Sequence, residues 1–175
     1  MKIYLTTDTH FGHDMLRELK QFGRPDDFET RILKELALVK GDMLIHLGDI
    51  CMGNDAGWVS QFMRIAKANF KKVVLVRGNH DGKSYNWYLN QGFDHVCEYM
   101  QMRLFGKEIL FSHMPILAEH TETNIYHKVH MNIHGHPHGQ GKYSHRAVEG
   151  YQAGFHYDCA PDTHNYKPVD LSKII

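Results

Sequence analysis

The stretch Val73-Val74-Leu75-Val76-Arg77-Gly78-Asn79-His80-Asp81 joins two kinds of sequence. Four consecutive apolar, mostly β-branched residues read as a strand buried on both faces. A glycine and three residues able to bind a cation or move a proton follow almost at once. The same grammar recurs upstream: the strand expected at Lys2–Thr7 runs into Asp8 and His10, and the one at Met43–Leu47 runs into Gly48 and Asp49. Between them, Asp27–Val39 places Phe28, Ile32, Leu33, Leu36 and Ala37 at helical spacing. Trp58–Ala68 does the same with Trp58, Phe62, Ile65 and Ala66. Each spacing makes one buried stripe. The order βαβαβ predicts a parallel sheet with right-handed crossovers.

Past Gly92 the texture changes. Strand-like pieces at His95–Phe105, Lys107–Ser112, Met131–His134 and Gly154–Cys159 follow one another with little helix, and a short helix is expected near Asp170. The expectation is an α/β first half running into a β-rich second half. There are no repeats or linkers, and 175 residues suit one domain of ~100–200 residues, so residues 1–175 are read as a single unit.

The second-half strands also end in chemistry: His113 after Lys107–Phe111, and His136 and His138 after Met131–Ile133. In open parallel sheets, ligands bind beyond the carboxyl ends of the strands. Five segments therefore deliver Asp, Asn or His to one rim. Imidazole and carboxylate without thiolate suit a mid-row divalent metal, with donors enough for two ions and one bridging carboxylate. Asp8 and His10, at i and i+2 on extended chain, are expected to point the same way, as are His136 and His138 on either side of Pro137. Gly48 and Gly78 free the backbone to turn tightly beside the cluster.

Composition agrees. Histidine is the outlier, 15 of 175 residues, and imidazole is the commonest protein metal ligand. Twenty basic residues balance 20 acidic ones, which argues against a strongly cationic nucleic-acid binder. A hydrophobic share of 42% excludes disorder. Cys51, Cys97 and Cys159 form no CxxC pair, so no disulfide framework is implied. The first residues show no apolar leader segment, and no run approaches the ~18 apolar residues of a membrane span. A cytoplasmic protein with no membrane association is expected.

At these residues the chain resembles the calcineurin-like metallophosphoesterase family. Asp8-Thr9-His10, Gly48-Asp49, Gly78-Asn79-His80-Asp81, His113 and Gly135-His136-Pro137-His138 are similar to its five signature blocks, in the family's order. The stretch Asp8 to His13, with Arg24-Pro25 beyond it, resembles a small bacterial and phage subgroup of predicted phosphoesterases. The resemblance implies a four-layer sandwich, two packed sheets flanked by helices. It implies one metal held by Asp8, His10, Asp49 and His138 and another by Asp49, Asn79, His113 and His136, with Asp49 bridging. His80 would sit over the scissile phosphate as a proton donor or electrostatic stabiliser, and Asp81 would orient it. The implied reaction is hydrolysis of a phosphodiester or phosphomonoester by in-line attack of a hydroxide bridging two divalent ions. Mn²⁺ is the expected ion in vitro, with Fe, Zn, Ni and Co as alternatives.

The protein Ser/Thr phosphatases of that family carry an Asp-Arg pair after the GD block, whereas Asp49 is followed here by Ile50-Cys51-Met52-Gly53-Asn54. The expected substrate is a small phosphorylated compound, with nucleotide-like molecules among the candidates. The alternatives are a nuclease acting on polynucleotides and a non-catalytic metal-binding scaffold of the same fold. His13 and Arg24 are candidate substrate contacts. Arg77 is another, unless it pairs with a carboxylate at the sheet end. His134 is expected to support the ligands from behind, and His120, His127, His130 and His145 to lie at the surface. His46, His95, His156 and His164 are read as structural.

Overall fold

A computed structural model of the chain describes residues 1–18, 23–116, 129–138 and 155–175. The first sheet contains the three parallel strands that the alternating pattern predicts. β1 (Ile3–Thr6), β2 (Gly41–His46), β3 (Phe70–Val76) and β4 (His95–Cys97) lie side by side and parallel. A two-residue strand near the end of the chain closes the β1 edge antiparallel; it becomes β9 (Val169–Asp170) once the second sheet is counted. The second sheet runs β5 (Tyr99–Leu104), β6 (Lys107–Ser112), β7 (Met131–His134) and β8 (His156–Asp158), antiparallel for β5–β6 and parallel thereafter. The fold is α/β, with two mixed sheets and flanking helices.

The period-two alternation of the strands explains why the first sheet is covered on both faces. On β3, Val73 and Leu75 join a core beneath the helices, while Val74 and Val76 join a second core between the sheets. On β1, Tyr4 faces the helices and Ile3 and Leu5 face the second sheet. The helical core is filled by α2 (Phe28–Ala37), α3 (Asp55–Asn69) and α4 (Tyr85–Asn90), which contribute Phe28, Ile32, Val59, Phe62 and Tyr88; the single turn α1 (Met15–Glu18) precedes them. Among the described residues these helices pack on the first sheet. Among the described residues no helix is assigned to the outer face of the second sheet, and His120, His127 and His145 lie outside the described residues. No helix of the described residues is long and apolar enough to cross a membrane.

Three departures from the sequence expectations have physical causes. The stretch His95–Phe105 is two strands in different sheets, split at Glu98. The Cys97 carbonyl is held by the Arg77 amide at 2.8 Å and the Glu98 carboxylate by the Arg77 guanidinium at 2.8 Å, so the chain turns from one sheet to the other there. Helix α4 has a short, aromatic sequence with little periodicity, but Ser84 caps it by accepting from the Trp87 amide. The segment expected to be helical near Asp170 is β9 followed by a single 3₁₀ turn at Leu171–Lys173.

Phe62 is fully buried, with its ring 6.3 Å from Phe11, 6.3 Å from Phe93 and 5.4 Å from His46. Phe62→Ala is expected to cost ~3–5 kcal/mol of stability, the usual penalty for an aromatic-sized core cavity. Urea unfolding of both proteins checks it.

Candidate metal centre

The loops beyond β1 and β2 are zipped together past the end of the sheet. Amides of Asp8, His10 and Phe11 donate to the carbonyls of Gly48, Asp49 and Ile50 at 2.9, 3.0 and 2.9 Å. The Asp81 carboxylate fastens the third loop to them. Its Oδ2 accepts from the amides of Asp49 and Gly78, each at 2.8 Å, and its Oδ1 from that of Ile50 at 3.1 Å. Buried His46 locks the pair from below: Nδ1 accepts from the Gly48 amide at 3.1 Å, and Nε2–H donates to Thr9 Oγ1 at 3.0 Å. Burial lowers its pKa to about 3, so this imidazole is neutral. A side chain at Gly78 would strike the Asp49 carboxylate, and one at Gly135 would strike Thr7 and Asp8. The loops approach closely only because both positions are bare.

This arrangement brings all seven predicted metal-ligating residues to one rim. Asp8, His10 and His138 offer one set of converging ligand atoms, and Asp49, His113 and His136 another, each set within 4.8 Å. Asp8 Oδ1 lies 3.7 Å from His10 Nε2 and 3.4 Å from His138 Nε2. His113 Nε2 lies 3.0 Å from Asn79 Oδ1 and 3.2 Å from His136 Nδ1. Asp49 Oδ2 stands between the sets, 3.5 Å from His10 Nε2 and 3.3 Å from His113 Nε2. Its other oxygen accepts from the His80 amide at 2.8 Å. These donors fit divalent metal ions. The set is nitrogen and oxygen without sulfur, and the inward oxygen of Asp8 is buried with no hydrogen-bond partner.

The expected reason for this convergence does not hold. Asp8 and His10 are not on extended chain: their φ values are +47° and +44°, and those of His136 and His138 are +73° and +53°. Asp49 is at +57°. Five candidate ligands thus occupy the left-handed region that non-glycine residues rarely visit. Asp8 and His10 do converge on one set, but His136 and His138 part, His136 joining the Asp49 set and His138 the Asp8 set.

Electrostatics follow from packing carboxylates and imidazoles out of water. Burial raises the Asp8 carboxyl, but His10, His138 and His113 outweigh it and hold its pKa well below the usual range. Burial would lower His113, yet its contact with Asp49, helped by Asp8, raises it to about 9. The Nδ1–H of His113 donates to the Leu47 carbonyl at 2.9 Å, which turns Nε2 inward. Burial lowers His10 and, with the His113 charge, His136.

His80 is exposed at the mouth of the cluster, its ring edge-on to His10 at 5.4 Å, and half-buried His13 lies 5.2 Å from His10 and 6.1 Å from His80. Two residues stand in surroundings the sequence did not suggest. Arg24, a candidate substrate contact, is turned inward. Its side chain is fully enclosed and spends its donors on Asp162 and on the carbonyls of Asp8 and Thr9. The Asp81 carboxylate, expected to orient His80, is engaged by the backbone amides of Asp49, Ile50 and Gly78. Arg77 pairs with Glu98 and the Asp81 carbonyl at the sheet end. Exposed His130 accepts from the Glu108 amide on Nδ1. The sequence reading missed Asp162, whose Oδ2 accepts from His138 Nδ1 at 3.1 Å. Only its place seven residues before a terminal strand marked it, and that is no signal.

A family model described as calcineurin-like phosphoesterase matches residues 1–146. The chain belongs to the calcineurin-like phosphoesterase family. The Gene 66 protein of Mycobacterium phage D29 is 27% identical over 165 residues, 79% of each chain. A protein of unknown function, AQ665, from Aquifex aeolicus is similar in structure, with a TM-score of 0.73 and 30% identity over 99% of this chain and 97% of its own. Yfce, a phosphoesterase from E. coli, shares the fold at a TM-score of 0.52, with 18% identity over 92% and 79% of the two chains. The match to the phosphoesterase family spans every candidate ligand from Asp8 to His138 and stops short of Asp162.

In the ion-free protein, the proton on His113 occupies the point where Asp49, Asn79 and His136 converge, so a cation must displace it. A raised folded pKa contributes stability that is fully present below the unfolded value of 6.5 and is lost as pH rises through about 9. The ion-free protein is expected to lose stability between pH 7 and pH 9 while its affinity for Mn²⁺ rises, because less protonated imidazole opposes binding. Thermal melts and calorimetric titrations across that range check both trends, and affinity independent of pH contradicts the assignment.

Proposed function

We propose that this phosphoesterase-family chain is a metal-dependent hydrolase of small phosphorylated compounds, cleaving phosphodiester or phosphomonoester bonds with two divalent ions. The observation that carries this reading is the place of Asp49 Oδ2, within 3.5 Å of both ligand groups while its partner oxygen is tied to the His80 amide. One carboxylate oxygen can then serve two cations. Asp8, His10 and His138 would hold one ion and Asn79, His113 and His136 the other, with Asp49 between. When bound, such ions supply positive charge to phosphoryl oxygens and acidify water toward neutral pKa.

The chain's own groups do the rest. His80 is exposed beside the buried His10 and Asp49, so its ring can meet the phosphoryl group as charge develops or protonate the leaving oxygen. His13, beside it, is placed to bind a second phosphoryl oxygen. Asp81 holds the loops of Asp49 and Gly78 together, so that His80 and the bridging carboxylate move as one piece. The intact ligand set supports an enzyme over a scaffold, and the zero formal charge favours a small substrate over a polynucleotide.

The test is hydrolysis of bis-(p-nitrophenyl) phosphate and p-nitrophenyl phosphate with added Mn²⁺, before and after chelation. Activity is expected with the metal only, and activity that survives exhaustive chelation rejects the reading. Asp49→Ala is expected to lose both ions, read by elemental analysis against about two per wild-type chain. His80→Ala should keep wild-type metal content while kcat falls ~10²–10³-fold, the loss typical of one transition-state donor, with KM changing less. Metal loss in His80→Ala as large as in His113→Ala would show that His80 is a ligand.

A further inference from the structure

The two ligand groups are alike in number but not in what stands behind them. His113 is backed by a neutral group, the Leu47 carbonyl, at 2.9 Å from its Nδ1. His138 is backed by a carboxylate, Asp162 Oδ2, at 3.1 Å. That carboxylate is itself gripped by a two-pronged guanidinium: Arg24 Nε donates to Oδ1 at 2.8 Å and Nη2 to Oδ2 at 2.7 Å. Nη2 also donates to the Asp8 carbonyl at 2.8 Å, and Nη1 to that of Thr9 at 3.3 Å. Nη2 also lies 3.2 Å from His138 Nδ1, but its two protons serve the shorter bonds to Asp162 Oδ2 and the Asp8 carbonyl, and Asp162 can only accept, so the proton on His138 Nδ1 goes to Asp162. That leaves the Nε2 lone pair facing Asp8 Oδ1 at 3.4 Å. The clamp thus touches two members of one ligand group, His138 through its ring and Asp8 through its backbone. Among the described residues it touches none of the other group.

We propose that Asp162, held by Arg24, is a positioning residue that fixes the His138 tautomer and makes the Asp8–His10–His138 group the tighter of two metal sites, so that the ions load in order. A carboxylate behind a ligating imidazole raises its basicity and locks its orientation, and removing such a partner typically weakens metal binding ~10–100-fold. The carbonyl behind His113 gives orientation without the charge. Asp162 sits in a 3₁₀ turn at Pro161–Thr163, beyond the residues matched by the family. The tighter site is therefore completed by a segment outside the signature blocks. The inference rests on the metal reading above.

Calorimetric titration of the metal-free full chain with Mn²⁺ tests it. The wild type is expected to bind in two steps, with the weaker step identified as the one lost in His136→Ala. In Asp162→Asn the tighter step should weaken ~10–100-fold while the weaker step holds. Where circular dichroism shows Asp162→Asn unfolded, Asp162→Glu replaces it. That variant keeps the charge for Arg24 on a longer arm, and the same selective weakening is expected. Two unchanged steps, or equal weakening of both, overturn the proposal and leave the metal reading standing. A wild-type chain that binds no Mn²⁺ overturns both.

Discussion

Two carboxylates, Asp8 and Asp49, are held almost wholly out of water at the end of a parallel sheet, and much of the surrounding architecture compensates them. An uncompensated ion in such a place costs several kcal/mol even after relaxation. Each carboxylate meets the problem by dividing its oxygens. Asp8 gives one to the Thr7 hydroxyl and the His136 amide, at 2.8 and 2.9 Å. Asp49 gives one to the His80 amide. The remaining oxygens point inward toward imidazoles. The compensating amides come from other loops, so satisfying two charges also joins the end of β1 to that of β7 and the end of β2 to that of β3. Asp81 repeats the device without an inward oxygen, and its three amide partners make it a fastener only.

The cores set the precision of that rim. β1, β2 and β3 are each packed on both faces, by helices on one side and by the second sheet on the other. A strand clamped in this way cannot shift register without moving its apolar residues to the wrong face. The parallel register Thr6↔His46↔Leu75 therefore fixes where the three loops begin, and side chains two to four residues later inherit that alignment.

The strands and α2 and α3 were legible because their signals are local: β-branched runs and helical stripes such as Phe28, Ile32 and Leu36. The ligand residue types were legible because each follows a strand directly. What the sequence hid was conformation and distance. Nothing in Asp8-Thr9-His10 announces two left-handed residues around a threonine, since that geometry is imposed by hydrogen bonds to Gly48 and Asp49 on a different strand. Arg24 reads as a phosphate-binding residue because a lone arginine near a motif usually reaches solvent. Its real partner, Asp162, is 138 positions away. His95–Phe105 looked continuous because the switch between sheets is made by Arg77, which belongs to neither strand.

The positive-φ ligands set the interests of the site against those of the fold. Each non-glycine residue in that region carries ~1–3 kcal/mol of strain, and Asp8, His10, Asp49, His136 and His138 carry it together. Glycine or asparagine at these positions would relax the backbone. Selection for thermal robustness alone, in a laboratory library or in a lineage released from its chemistry, would then tend to remove these five side chains first. Such a descendant would keep both sheets and both cores. It would gain melting temperature as it lost its ligands, and the erosion of its motifs would record relief of strain as much as loss of use.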